Sequence, residues 1–147
     1  MTFQALHGYY LEDLQVGMSE TYTKTVSEAD IIAFADLSGD TNPVHMDEAF
    51  AAASPFKGRI AHGMLGAALL STVFGTRLPG PGCIYVSQDL RFRAPVRIGD
   101  TVVARVTIAE ITEEKRRVKF ACECRVGDTV VIDGEAVLMV SRRAKAK

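Results

Sequence analysis

The second half of the chain alternates between apolar and polar residues, in runs separated by short turns that contain glycine or charged residues. In one run Val102, Ala104 and Val106 recur at every second position, with polar residues between the later ones. Such alternation is typical of half-buried strands, and turns this short favour antiparallel pairing. The pattern predicts four strands in this half, at residues 84–93, 101–111, 117–126 and 129–141, and a fifth at 20–26.

Three segments between the first and second predicted strands have the features of helices. Ser27 precedes an apolar pattern at helical spacing, with an acidic residue three positions later, so it predicts the N-cap of a helix ending near residue 38. Asp47 is placed to cap a short helix at 48–53. Residues 60–78 are almost free of charge and rich in glycine and alanine, which predicts a longer helix buried on all sides.

These elements predict an α+β domain in which a five-stranded antiparallel sheet wraps around one long buried helix. This arrangement is called the hot dog fold. The small residues of the helix would let the sheet approach it closely. The length of 147 residues suits one hydrophobic core, so we expect a single domain over residues 1–147.

Charge excludes several kinds of partner. Seventeen lysines and arginines against 18 acidic residues give a net charge of -1, so no overall positive field exists to hold nucleic acid or an anionic membrane. The longest apolar stretch, near residues 64–70, is far shorter than the roughly 20 residues that span a bilayer. We expect neither a nucleic-acid nor a membrane partner.

Cysteine usage points to a reducing compartment. The chain has three cysteines, Cys83, Cys122 and Cys124, with no CxxC pair, which suggests neither a zinc site nor a disulfide framework. The first residues lack the basic and apolar regions of a secretory signal. We therefore expect a cytoplasmic protein whose cysteines serve in packing.

Candidate chemistry lies in residues 40–45, DTNPVH, between the first two predicted helices. Because Pro43 forces Asn42 out of the α region, we expect a loop there, and a loop can direct Asp40 and His45 at one point. A carboxylate and an imidazole that converge on one water can orient it, accept its proton and return a proton to a substrate. The structural alternative is that Asp40 caps a turn, Asn42 makes a local hydrogen bond and His45 is buried.

A second feature, Ala61-His62-Gly63-Met64, lies where the predicted buried helix begins. Free backbone N–H groups and the positive end of the helix dipole suit a developing oxyanion at such a position. Gly63 has no side chain, so a substrate carbonyl could approach its N–H closely. The structural alternative is that Gly63 relieves crowding between helix and sheet while His62 packs there.

The two motifs resemble those of a known family. Residues 34–45, FADLSGDTNPVH, followed after five residues by Ala51, resemble the signature of the R-specific enoyl-CoA hydratases, also called MaoC-like hydratases. The similarity extends through residues 61–65, AHGML, through residues 85–96, YVSQDLRFRAPV, and through residues 99–100. It covers most of the chain.

The resemblance implies a hot dog homodimer that adds water to a trans-2-enoyl-CoA thioester and releases the (R)-3-hydroxyacyl product, without a metal or redox cofactor. This is the activity of a hydro-lyase, in fatty-acid metabolism or in the supply of polyhydroxyalkanoate monomers. The family pattern assigns the catalytic water to Asp40 and His45, and the thioester oxygen to the N–H of Gly63. Asn42 and His62, within the same two motifs, are expected to contact the substrate.

Four further residues are candidates for substrate binding. Ser71 and Phe74 follow Gly63 by eight and eleven positions, close to one helical face, so we expect them to line the acyl channel. Core packing is the alternative for Phe74. Arg91 and Arg93 lie two apart on a predicted strand and could meet the phosphates of CoA, although an ordinary solvated face explains them too.

Three other functions remain open. An (R)-3-hydroxyacyl carrier protein dehydratase would run the same chemistry in reverse. A hot dog thioesterase also needs a carboxylate and an oxyanion donor, but would place the carboxylate on or near the buried helix. A non-catalytic acyl-CoA-binding protein would leave Asp40 and His45 without a purpose. The sequence leaves acyl chain length and the identity of the carrier open.

Overall fold

The computed structural model describes residues 6–144. Residues 1–5 and 145–147, the ends of the expected domain, lie outside this range. Within it, the strands are β1 (Ser19–Thr25), β2 (Ile84–Phe92), β3 (Thr101–Thr112), β4 (Arg117–Val126) and β5 (Thr129–Met139). The helices are α1 (Glu28–Ser38), α2 (Pro43–Met46), α3 (Glu48–Ala52) and α4 (Gly63–Thr76), with 3₁₀ turns at Leu11–Asp13 and Glu113–Lys115.

The five strands form one sheet in the order β1-β3-β4-β5-β2, and every neighbouring pair is antiparallel. The predicted strands and their orientation are therefore confirmed. Strands β3, β4 and β5 follow one another in the sheet because their connections are short hairpins. Strands β1 and β2 lie at the two edges, which leaves one side of each unpaired within the described chain.

The face of the sheet that packs on α4 is built by strict alternation. On β4, Val118, Phe120, Cys122 and Cys124 are buried and their neighbours are not. All three cysteines are free. Burial raises the pKa of Cys122 to about 11, so its thiol stays protonated near neutral pH and acts as a small apolar side chain.

Helix α4 is shorter than predicted and is not buried on all sides. The N–H of Ala61 donates to the carbonyl of Val96 at 2.7 Å, and Ile60 pairs with Arg97, so residues 60–62 are extended and the helix begins at Gly63. The sheet covers only one face of the helix. On the other face Met64 is 61% exposed. None of the described helices has the length and hydropathy needed to cross a membrane.

The segment between α1 and α3 differs from the expected loop. Asn42 is non-helical, as predicted, but Pro43–Met46 form one helical turn, α2, that carries His45. Proline is suited to the first position of a helix, because its fixed φ is helical and its missing N–H would have no intrahelical acceptor there. The side-chain oxygen of Asn42 accepts a hydrogen bond from the N–H of Val44 at 3.1 Å and caps this turn.

Candidate active site

His45 lies on α2 and is buried. Its Nδ1 is 2.8 Å from the carbonyl oxygen of Ile60. A carbonyl can only accept, so Nδ1 carries a proton and donates it, and Nε2 of the neutral ring is left as an acceptor. The imidazole is thus fixed in the orientation and tautomer that a general base requires.

Asp40 follows Gly39, the αL residue that ends α1. Its own N–H donates to the hydroxyl of Ser38 at 3.1 Å. Its carboxylate oxygen Oδ1 accepts a hydrogen bond from the N–H of Asn42 at 3.2 Å. The side chain is exposed, and the second carboxylate oxygen is available to a water or a substrate.

His62 joins these two residues. Its Nε2 donates to the backbone carbonyl oxygen of Asp40 at 2.9 Å. Its ring contacts two others, with centroid distances of 3.9 Å to His45 and 4.9 Å to Phe34. His62 also immediately precedes Gly63, the first residue of α4.

The same three side chains raise the question of a metal ion. Asp40, His45 and His62 each present a possible ligand atom, and these atoms lie within 4.8 Å of one another. The two imidazole planes are tilted by 31° at a centroid distance of 3.9 Å, so the two rings are in contact. One nitrogen of each ring donates to a carbonyl, which leaves the other nitrogen of each ring uncommitted. These two free nitrogens and the Asp40 carboxylate can bind a water and exchange protons with it.

Gly63 places an uncommitted backbone N–H beside these groups. The first N–H groups of a helix have no intrahelical acceptor, and the side chain of the N-cap residue His62 does not cap them. A Cβ at Gly63 would lie 2.8 and 2.9 Å from two ring carbons of Phe92. A side chain at position 63 would therefore require the Phe92 ring to move, a contact that the sequence pattern did not single out.

A cavity of about 320 Å³ opens at this point, bordered by His45, His62 and Gly63. Its remaining walls are mostly apolar and include Val26, Ile60, Leu65, Val96, Val102 and Ile132. Asp40 borders an adjacent depression that shares His62, Gly63 and Phe92 with the cavity. The imidazole of His45 and the free N–H of Gly63 thus border a space that an apolar thioester could enter. The Asp40 carboxylate lies at the adjoining depression, within 4.8 Å of an imidazole nitrogen of His45.

Arg59 is a site residue that the sequence reasoning missed. Its Nε donates to the backbone carbonyl of His45 at 2.7 Å, and its Nη1 pairs with Glu28 at 3.1 Å. Its side chain is only 10% exposed. Arginines are rarely this buried unless they are paired. In the sequence, the only sign of such a role was the position of a charged residue next to the apolar Ile60.

Asn42 has a structural role, and its expected contact with a substrate stays a prediction. Its side-chain oxygen is used in capping α2, and its N–H in holding Asp40. It borders a shallow depression with Phe50 and Phe56, and not the cavity at Gly63. This role follows from Pro43, which begins a helical turn whose first N–H groups need a cap.

Ser71 and Phe74 do not line the cavity at Gly63 in this chain, contrary to expectation. Phe74 is 1% exposed and packs against Phe120 and Tyr85, with ring centroids 4.9 and 5.4 Å away. Ser71 lies on the exposed face of α4. Phe74 lies close to the same face of α4 as Gly63. Three turns further along the helix, however, that face packs against the core.

Arg91 and Arg93 are both paired with carboxylates. Arg91 lies 3.6 Å from Asp89 and borders a depression on the outer face of the sheet, away from the cavity. Arg91 therefore does not border the cavity, and its contact with a substrate stays a prediction. Arg93 follows the end of β2, pairs with Asp133 at 3.1 Å and also borders the cavity. Of the two arginines, Arg93 is the better-placed candidate for binding the CoA part of a substrate.

Comparison with known proteins shows which protein family the chain is similar to. Residues 14–131 match the family model described as the MaoC like domain. The chain belongs to the MaoC-like family. The resemblance predicted from residues 34–45 and 61–65 is therefore confirmed.

Individual relatives of this MaoC-like chain agree. It is 54% identical over 137 residues to a 3-hydroxybutyryl-CoA dehydratase of Methylorubrum extorquens, covering 93% of this chain and 87% of that protein. It is 56% identical over 135 residues to an (R)-specific enoyl-CoA hydratase of Rhodospirillum rubrum, covering 92% and 94%. The solved (R)-hydratase of Aeromonas caviae, involved in PHA biosynthesis, superimposes with a TM-score of 0.85 at 40% identity, covering 88% and 98%. The predicted hot dog fold is confirmed.

Proposed function

We propose that this MaoC-like protein is a hydro-lyase that adds water reversibly to a trans-2-enoyl-CoA, giving the (R)-3-hydroxyacyl-CoA. The closeness of Asp40 to His45, within 4.8 Å and beside the Gly63 N–H at the mouth of an apolar cavity, carries the proposal. The relatives at 54% and 56% identity support it, because both are named for CoA thioesters and for this reaction in one direction or the other.

In the proposed reaction, one water lies between the free carboxylate oxygen of Asp40 and Nε2 of His45. As its oxygen bonds to the β carbon of the enoyl group, these two side chains take up one proton. The electron pair of the double bond moves towards the thioester oxygen, which accepts a hydrogen bond from the N–H of Gly63. Return of one proton to the α carbon completes the addition. Residues of the chain supply every group, so we propose that no metal or redox cofactor takes part.

The decisive experiment is an activity assay with the purified protein. We expect loss of the enoyl absorbance of trans-2-butenoyl-CoA, unaffected by EDTA, and a product of R configuration by chiral analysis. The matching enoyl acyl carrier protein should react more slowly if CoA is the preferred carrier. Release of free CoA would instead indicate a thioesterase. Tight binding of enoyl-CoA without turnover would indicate a binding protein and contradict the proposal.

We further propose that the protein is a homodimer. Strand β2 is an edge strand, and an apolar groove between it and α4 is open to solvent. Large side chains on this surface, Met64, Ile84, Tyr85 and Val86, are exposed. Pairing of two β2 edges would join two sheets and cover these side chains, as closed two-fold symmetry requires of a self-complementary surface.

We propose that the protein acts in the cytoplasm. Its three cysteines are free, and two of them are buried against the core, which suits a reducing compartment. Supply of monomers for a storage polyester is the proposed context, since the relative from Aeromonas caviae serves PHA biosynthesis. Deletion of the gene would then lower polyester content in cells fed fatty acids, and an unchanged content would contradict this context.

A further inference from the structure

His62 is a buried polar side chain for which the proposed reaction has no direct use. It is 3% exposed, and its Nδ1 has no hydrogen-bond partner among the described residues. A buried polar atom without a partner is destabilising. A phenyl ring would fill the same space between Phe34 and His45 without that cost, so packing alone does not explain a histidine here.

The other ring nitrogen makes one contact, and that contact is to Asp40. Nε2–H donates to the backbone carbonyl of Asp40 at 2.9 Å. The side chain of Asp40 is exposed, and its other bonds, to Ser38 and Asn42, are within two residues along the chain. The bond from His62 is therefore the hydrogen bond that fixes Asp40 relative to α4, from a residue 22 positions away.

The ring of His62 is itself held in place. It packs against Phe34 of α1 and His45 of α2. Its backbone leads directly into Gly63, the proposed oxyanion donor. One side chain thus bonds to the residue that carries the proposed carboxylate, contacts the proposed base and adjoins the proposed N–H donor.

We infer that His62 is a positioning residue, whose Nε2–H holds Asp40 at the separation from His45 and Gly63 that the reaction needs. The inference rests on the proposed hydratase activity. It adds a positioning role to the expected contact of His62 with the substrate. A misplacement of a catalytic group by about 1 Å can cost a hundredfold in rate, so the loss of one such bond should be visible in kcat.

Three substitutions separate the hydrogen bond from the ring. In His62→Gln the amide nitrogen falls near the position of Nε2 and can still reach the Asp40 carbonyl. In His62→Asn the amide nitrogen falls near Nδ1 and cannot. His62→Phe keeps the ring contacts, removes the donor and also removes the unpartnered nitrogen, so it should be at least as stable to heat as the wild type.

We expect kcat to fall in some variants without a matching fall in the melting temperature. The Asn and Phe variants should lose roughly tenfold to a hundredfold in kcat with little change in KM, and the Gln variant should recover most of that loss. Equal kcat in the Gln and Asn variants, or losses that simply follow the melting temperature, would overturn the inference. If the Phe variant does not fold, the Gln and Asn pair decides.

The activity of the wild type distinguishes a failure of the proposed hydratase function from a failure of the proposed role of His62. If the wild type hydrates trans-2-butenoyl-CoA and the variants behave alike, only the role of His62 is wrong. If the wild type has no such activity, the proposed function is wrong, and the role of His62 falls with it.

Discussion

Nε of Arg59 donates a 2.7 Å hydrogen bond to the backbone carbonyl of His45, from a side chain that also pairs with Glu28 at the start of α1. The C-terminal carbonyls of a short helix lack intrahelical partners, and a buried guanidinium supplies one here. The segment carrying the proposed acid–base pair is thus tied down at both ends, with His62 bonded to Asp40 and Arg59 bonded to His45.

Removal of the Arg59 guanidinium should loosen His45. Arg59→Met keeps much of the buried stem but loses both bonds, so we expect a destabilisation of about 1.5–3 kcal/mol, the usual worth of a hydrogen bond to a charged group. We also expect a clear fall in kcat. Arg59→Lys should recover little, because one ammonium cannot reproduce the two-way geometry of the fork. Arg105→Met, at an exposed arginine on β3, is the control, measured by thermal denaturation and enoyl-CoA kinetics. Wild-type kinetics in Arg59→Met would show that His45 needs no such support.

Substitution of the proposed acid–base pair should abolish most activity without unfolding the chain. Asp40→Asn and His45→Ala should each lower the hydration rate by about two or more orders of magnitude, as for other positioned acid–base groups. Asp36→Asn is the matched control, because Asp36 is an exposed carboxylate on the adjacent α1. Circular dichroism would establish folding. Near wild-type turnover by either folded variant would contradict the assignment.

The sequence predicted the strands well because alternation is a local property, and α1 because the Ser27 cap and apolar spacing agree with each other. The helical turn at α2 was missed because Pro43 both breaks a helix before it and begins one after it. Arg59 and Phe92 were missed for another reason. Their partners, His45 and Gly63, are distant along the chain, and only the folded chain brings them together.

The absence of a side chain at Gly63 should matter because of Phe92. The Cβ of Gly63→Ala would lie 2.8 Å from the phenyl ring, so we expect a large loss of kcat/KM. Adding Phe92→Ala should restore part of that loss, because it removes the atoms that clash. Gly75→Ala is the control on the same helix, since its Cβ would meet nothing within 4 Å and alanine favours helix by up to about 1 kcal/mol. Strictly additive losses in the double variant would refute the steric explanation.

Acid should weaken the start of α1. The N–H of Ser27 donates to the carboxylate of Asp30 at 2.9 Å, and this bond, with Lys24 nearby, holds the pKa of Asp30 below its usual value. A lowered folded-state pKa stabilises the fold above the unfolded pKa, and the gain is lost as pH falls through the folded value. Asp30→Asn should therefore lower the melting temperature at pH 7, and the difference from wild type should shrink below about pH 4. A difference that does not change with pH would contradict this account.

Disruption of the β2 surface should separate the proposed dimer. Val86, at the irregular point of β2, is 46% exposed beside the groove along α4. Its replacement by lysine would place a charge in an interface that would otherwise be apolar, which is costly without a partner of opposite charge. Sedimentation equilibrium should give twice the chain mass for the wild type and a lower mass for Val86→Lys. Val16→Lys is the control, because Val16 is 64% exposed and does not border this groove. A wild-type monomer at micromolar concentration would rule the dimer out. An intact Val86→Lys dimer would show that the interface does not include this surface.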